Sequence, residues 1–240
     1  MNENVKIGVI GGGSWATAIV KMLCENVDSI NWWMRNEEAI EHINTYGHNP
    51  NYISDAELKK GKLNLSSNIN EVVKNSDYLV LAVPSAFLKS TLSSLVTPLK
   101  DKIIISAIKG IVPENNTIVG EFIHNNYEVP YENIGVITGP CHAEEVALER
   151  LSYLTIACSD ILKAEFFANS ISGRYIKTTV SDDIYGTEYS AVLKNVIALA
   201  AGICHGLGYG DNFQAVLVSN AIREIKRFVD EVHPIDRDIK

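Results

Sequence analysis

Cysteine is scarce in this 240-residue sequence: Cys24, Cys141, Cys158 and Cys204 are all there are. They stand too far apart for a metal-ligand spacing and are too few for a disulfide framework. They read as free thiols of a reducing compartment. Excess positive charge is absent too, since 21 Lys and Arg against 29 Asp and Glu leave a net charge of −8. A chain of that balance offers no broad basic surface to a nucleic acid, although a local basic pocket for a phosphorylated small molecule remains open to it. Nor is there a long apolar run. The longest, 191–203, contains Lys194 and Asn195 and falls short of the ~20 residues that cross a bilayer. The apolar stretch 5–10 is too short, and wrongly flanked, for a secretory signal. Repeats and low-complexity segments are missing as well. The expectation is a cytoplasmic protein with no nucleic-acid partner and no membrane insertion.

What is present is an ordinary globular composition, 46% hydrophobic and 21% charged, in a chain long enough for one large domain or two modest ones. Short apolar runs at 5–10, 30–34, 63–66, 78–83, 103–108, 134–138, 153–158 and 175–180 have the look of strands. Amphipathic stretches at 14–25, 37–45, 86–96, 117–124, 141–148 and 161–171 lie between most of them. Strands alternating with helices imply βαβ units and a mainly parallel sheet, and near-continuous apolar strands imply helices on both faces. After about residue 180 the alternation stops and an alanine-rich helical pattern begins. The fold class expected is therefore α/β: a Rossmann-like, doubly wound, mainly parallel sheet over 1–180, followed by the start of an all-helical, substrate-binding domain over 181–240.

The first strand runs into Gly11-Gly12-Gly13-Ser14-Trp15-Ala16. This is a G-x-G-x-x-A fingerprint in its required context, after a strand and opening a helix. Gly11 permits the tight turn, Gly13 lets the backbone approach a pyrophosphate, and Ala16 keeps the helix close to the sheet. The free N–H groups at the helix start, those of Ser14 and Trp15 among them, face the anion. At the tip of the second strand an NAD-specific site places Asp or Glu; here stands Arg35, which suits a 2′-phosphate or an adenine face. Glu37 and Glu38 follow closely enough to reach a ribose. NADP or NAD is expected, with NADP slightly preferred.

Three further turns end strands at the same carboxyl edge, where open α/β sheets bind ligands. They are 83–88 with Phe87, 105–111 with Lys109, and 139–146 with Gly139 and Cys141. A fourth stretch, 187–201, puts Lys194 in the middle of an apolar helix. Its helical neighbours Ser190, Ala191, Ala198 and Ala201 are all small. A lysine so placed is expected to be desolvated and suited to acid–base work. Cys141, just after Gly139-Pro140, is expected to be an accessible thiol at a helix start.

Taken together, these stretches resemble the NAD(P)-dependent glycerol-3-phosphate dehydrogenases over nearly the whole chain. The resemblance rests on Gly11–Ala16 with its Ser-Trp, Lys109-Gly110, the Gly-Pro-x-x-Ala-x-Glu-Val block at 139–146, the Leu-Lys-Asn-Val of 193–196 and the turn Leu207–Asn212. It implies reversible hydride transfer between sn-glycerol 3-phosphate and a nicotinamide ring, giving dihydroxyacetone phosphate, and a role in supplying glycerol phosphate for phospholipid synthesis. It also implies that Lys194 is the acid/base and that Lys109 touches both substrate and cofactor. Gly139 and Cys141 would border the substrate, and Arg35, Tyr52 and Ala143 the cofactor. An ammonium aimed at the ketone oxygen stabilises the charge that develops there and delivers the proton; Asn195 would orient one of the two lysines.

Several positions depart from the family's pattern. Ser190-Ala191-Val192 replaces its Gly-Gly-Ala, Cys141 its serine, and 215–221 its Ala-Ala-Leu-Ile-Thr-Arg-Gly. The family continues for about another third of its length with an aspartate and a Ser-Arg-Asn cluster for the substrate phosphate, so the chain has the look of a truncated member. The alternatives are another β-hydroxyacid or ketoacid dehydrogenase with a Lys-Asn helix, or a dinucleotide-binding sensor without catalysis. A homodimer is a further expectation.

Overall fold

The computed structural model describes residues 5–114 and 116–236. Eight strands form one sheet: β1 (Ile7–Ile10), β2 (Ile30–Trp33), β3 (Leu63–Ser66), β4 (Tyr78–Leu81), β5 (Ile103–Ser106), β6 (Ile134–Thr138), β7 (Ser152–Cys158) and β8 (Ile176–Ser181). The helices are α1 (Ser14–Asn26), α2 (Glu37–Tyr46), α3 (Ile69–Lys74), α4 (Ser85–Leu92), α5 (Val119–Tyr127), α6 (Ala143–Ala147), α7 (Ile161–Ile171), α8 (Ile184–Gly206) and α9 (Asp211–Val232).

Strand order is β3-β2-β1-β4-β5-β6-β7-β8. Every neighbouring pair is parallel except β6–β7, which is antiparallel. The order reverses between β1 and β4, so the crevice of a doubly wound sheet opens above their carboxyl ends. β1 and β4 are buried along their whole length, because helices cover both faces. One core layer joins α1 and α7 to the sheet through Ile19, Leu23 and Phe167; the other joins α3, α4 and α5 through Val72, Leu88 and Phe122. The edge strands depart from the uninterrupted apolar pattern: β3 exposes Asn64, and β8 exposes Lys177, Thr179 and Val180.

Local signals set the element ends. Asn36 caps α2 by accepting the Ala39 N–H at 3.0 Å, and Gly47 closes it in the left-handed conformation with φ 77°. Helix α3, six residues started by Asn68, connects β3 to β4. The stretch read as a helix over 141–148 is shorter: α6 begins at Ala143, after an extended His142. Beyond β8, α8 packs along β6 and β7, and α9 returns against α8. No helix of the described residues is long and apolar enough to cross a membrane.

Candidate functional site

The first strand ends in a turn that only glycine fits. Gly11 has φ 138°, and a Cβ there would lie 2.3 Å from the Ala82 carbonyl oxygen on the neighbouring β4 connection. Gly12 presses on Met34, whose Cβ would be 2.9 Å from an added one. At Gly13 the situation reverses: no atom stands within 4 Å of an added Cβ. Its open face looks into space, as a position approached by a ligand requires. Ala16 and Thr17 behind it are fully buried, so α1 starts hard against the sheet with its free N–H groups at the loop.

That loop forms one wall of a crevice of about 1180 Å³ along the carboxyl edge of the sheet. Gly11, Gly13, Ser14 and Trp15 line it from β1 and α1, Arg35 from the end of β2, and Tyr52 from the loop after α2. Phe87 comes from α4, Lys109 from the end of β5, and Cys141 and Ala143 from the β6–α6 turn. Ten residues singled out from the sequence thus meet in one place although they span 133 positions of the chain, from Gly11 to Ala143. A smaller cavity of about 280 Å³ between α1 and the start of β8 contains none of them.

Lys109 dominates the electrostatics. Its Nζ stands 5.4 Å from the centre of the Trp15 ring, in cation–π geometry. Burial lowers its pKa from the ordinary 10.5, and the ammonium of Lys194 lowers it further, against an opposing influence from Cys141. The charge of Lys194, on α8, is thus felt at Lys109, which follows β5. The buried Trp15 Nε1–H has no hydrogen-bond partner among the described residues. Arg35 is exposed and, among the described residues, holds no ion-pair partner. Glu37 is occupied, accepting from Ser67 Oγ at 2.8 Å. Among the described residues, the tip of β2 thus carries a cation without an ion-pair partner in place of a carboxylate.

Some expectations need correction. Lys194 is exposed rather than desolvated, because the outer face of α8 around it carries no covering element among the described residues. Asn195 is exposed as well, and its side chain makes no hydrogen bond to either lysine among the described residues. Neither residue is part of the crevice wall. Cys141 lines the wall, but it is only 2% exposed and precedes the helix instead of starting it. Burial pushes its thiol up from the ordinary value, with Ser152 and Lys109 opposing. It is a structural thiol; Cys204 is the more open one. Gly139 does not line the crevice. Its φ is 137°, and a Cβ would meet the Tyr153 carbonyl oxygen at 2.3 Å, so glycine is needed where the chain leaves β6 close against the backbone of the antiparallel β7.

Two residues escaped sequence reasoning. Asn49, 1% exposed, donates to the Gly12 carbonyl at 3.2 Å and to Thr17 Oγ1 at 2.9 Å. Glu188, also 1% exposed, accepts from the backbone N–H groups of Val119 at 2.9 Å and Gly120 at 3.2 Å, tying α8 to the start of α5. A polar residue inside an apolar stretch was the available signal for Glu188. For Asn49 there was none.

Similarity to known proteins agrees with this geometry. Residues 6–164 match the family described as NAD-dependent glycerol-3-phosphate dehydrogenase N-terminus, and residues 183–237 the corresponding C-terminus. The glycerol-3-phosphate dehydrogenase [NAD(P)+] of Limosilactobacillus reuteri is 34% identical over 229 residues, 92% of this chain and 67% of that protein. That of an Exiguobacterium species is 37% identical over 223 residues, 92% of this chain and 65% of that one. The chain thus spans about two thirds of the length of the curated relatives it matches. Among solved structures, the glycerol-3-phosphate dehydrogenase of Saccharomyces cerevisiae superposes with a TM-score of 0.84 at 27% identity, covering 97% of this chain and 72% of that one. The Plasmodium falciparum enzyme of the same name gives 0.88 at 25% identity, covering 98% and 68%. The chain belongs to the NAD-dependent glycerol-3-phosphate dehydrogenase family, and so to the nicotinamide-dependent oxidoreductases.

Proposed function

We propose that the protein interconverts sn-glycerol 3-phosphate and dihydroxyacetone phosphate with NADP or NAD, and that it serves glycerol phosphate supply for phospholipid synthesis in the cytoplasm. The observation that carries this is Lys109: a half-buried ammonium at the crevice, standing over Trp15 beside the glycine loop, with the charge of Lys194 close by. The crevice fits a dinucleotide. Gly13 leaves room for a pyrophosphate, and the first N–H groups of α1 face it.

The bound nicotinamide ring supplies the reducing equivalent. Lys109 and Lys194 hold positive charge where the ketone oxygen gains negative charge, and one of them gives that oxygen its proton. Lys109, with its lowered proton affinity, is tuned toward proton transfer. Their paired charge also suits a phosphorylated substrate. Arg35, standing where an NAD-specific site carries an acid, favours the 2′-phosphate of NADP. Residues 1–180 form the dinucleotide-binding domain in this reading, and 181–240 the start of a helical domain that brings Lys194 to the substrate. The uncovered apolar side chains of α8 and α9 support a homodimer.

The test is oxidation of NADPH and NADH by the full-length protein with dihydroxyacetone phosphate, against dihydroxyacetone and a set of 2-ketoacids. Turnover confined to the phosphorylated ketone, with NADPH at least as good as NADH, is expected. Turnover of a ketoacid instead would overturn the substrate assignment.

A further inference from the structure

The dinucleotide loop carries three successive carbonyl groups, and each is captured from behind by a buried side chain. Trp32 Nε1–H donates to the Gly11 oxygen at 2.6 Å. Asn49 Nδ2–H donates to the Gly12 oxygen at 3.2 Å. Thr17 Oγ1–H donates to the Gly13 oxygen at 3.0 Å, beside the helical bond from the Thr17 N–H at 3.0 Å. Trp32 and Thr17 are fully buried and Asn49 is 1% exposed.

A trans peptide is flat, with its C=O and the following N–H pointing in opposite directions. Drawing the three oxygens inward therefore turns the N–H groups of Gly12, Gly13 and Ser14 outward, toward the crevice these residues line. The capture is most consequential at Gly12. Its carbonyl precedes the helix, so no intrahelical donor reaches it, and with no Cβ the neighbouring dihedrals are free to rotate the peptide. Rotated, it would present an oxygen where an anion is to sit. Asn49 prevents that through its Nδ2–H bond to the Gly12 oxygen, and its other polar contacts fix it in place. Its second contact is Thr17 Oγ1 at 2.9 Å, and its Oδ1 accepts the Asn51 N–H at 3.1 Å. These partners also settle its amide orientation, because a backbone N–H can only donate and a carbonyl can only accept. Asn51 and Tyr52 line the crevice next to it, so Asn49 couples the glycine loop to the loop beyond α2.

We infer that Asn49 is a positioning residue for the dinucleotide phosphates: with Trp32 and Thr17 it holds the glycine-loop carbonyls inward so that the loop presents only N–H donors to the pyrophosphate. The inference rests on the reading of the crevice as a dinucleotide site.

Calorimetric titration of the 240-residue chain with ADP-ribose, which carries the pyrophosphate, and with adenosine, which does not, provides the test. Asn49→Ala is expected to weaken ADP-ribose at least tenfold and adenosine less than twofold. Thr17→Val, nearly isosteric, is expected to weaken ADP-ribose at least threefold, with Thr17→Ser restoring it; this pair decides the matter if Asn49→Ala does not fold. Unchanged ADP-ribose affinity in a folded variant, or equal loss for both ligands, overturns the positioning role while leaving the site assignment intact. Failure of the unaltered chain to bind ADP-ribose overturns the site assignment, and the positioning role with it.

Discussion

At the scale of single residues, the proposed chemistry turns on two lysines on separate elements whose charges influence one another. Burial comes first in lowering the pKa of Lys109 below 10.5, and the Lys194 charge second. Replacing Lys194 by methionine removes a positive neighbour, so Lys109 should release its proton at higher pH than in the parent. The midpoint of Lys109 acylation against pH measures this; an unmoved midpoint would mean that the two amines do not face each other. The glycine turn was legible because its signal is contiguous: three glycines between an apolar run and a helix leave few alternatives. Asn49 was illegible for the opposite reason. The carbonyl it satisfies lies 37 residues away, and nothing around it distinguishes it from any loop asparagine. Cys141 was misread because the length of α6 decided its surroundings, and helix starts are uncertain by a residue or two.

Elements carry the connection between the sheet and the α8–α9 pair. Glu188 of α8 is enclosed against the N-terminus of α5, where Gly120 leaves only 3.0 Å between an added Cβ and its Oε2. Burial raises the Glu188 pKa to about 7, against the two backbone N–H bonds that favour the charged form. A carboxyl raised on folding contributes stability that is fully present below its unfolded value of 4.5 and lost as pH rises through about 7. Glu188→Gln keeps an acceptor for Val119 and Gly120 but cannot ionise. Urea midpoints of parent and variant, compared between pH 5 and 8, should therefore diverge, with the parent losing ground as pH rises. Parallel curves would show that Glu188 stays ionised throughout. The alternation of elements was readable from period alone, because parallel strands covered on both faces are almost uniformly apolar. The reversed direction of β7 was not: a buried strand has the same composition whichever way it runs, and Gly139, with its φ of 137°, marks only the exit from β6.

Across the whole molecule, burial is uneven. The sheet and its flanking helices bury most of their large side chains, whereas α8 and α9 leave Leu199 67%, Ile203 56%, Val216 58% and Ile222 49% exposed. Apolar surface of this extent drives association. Sedimentation of the 240-residue chain should show concentration-dependent self-association across the micromolar range, weakened by Leu199→Lys combined with Val216→Lys. A monomer insensitive to both concentration and substitution would remove support for the homodimer. The same unevenness explains why the environment of Lys194 was not foreseen: small neighbours on one helix describe its own surface, and the cover over that surface belongs to distant parts of a fold.

The glycine loop has a spectroscopic corollary. The protein contains three tryptophans. Trp15 and Trp33 line the crevice, and Trp32 holds the Gly11 carbonyl from beneath. All of its indole emission therefore originates within a few side chains of the turn after β1. Titration with a reduced nicotinamide dinucleotide should quench that emission and transfer energy to the bound ring, giving a label-free reading of occupancy. Loosening of the α8–α9 pair would leave the spectrum almost unchanged, so light from this molecule reports on one end of the sheet and is nearly blind to the rest.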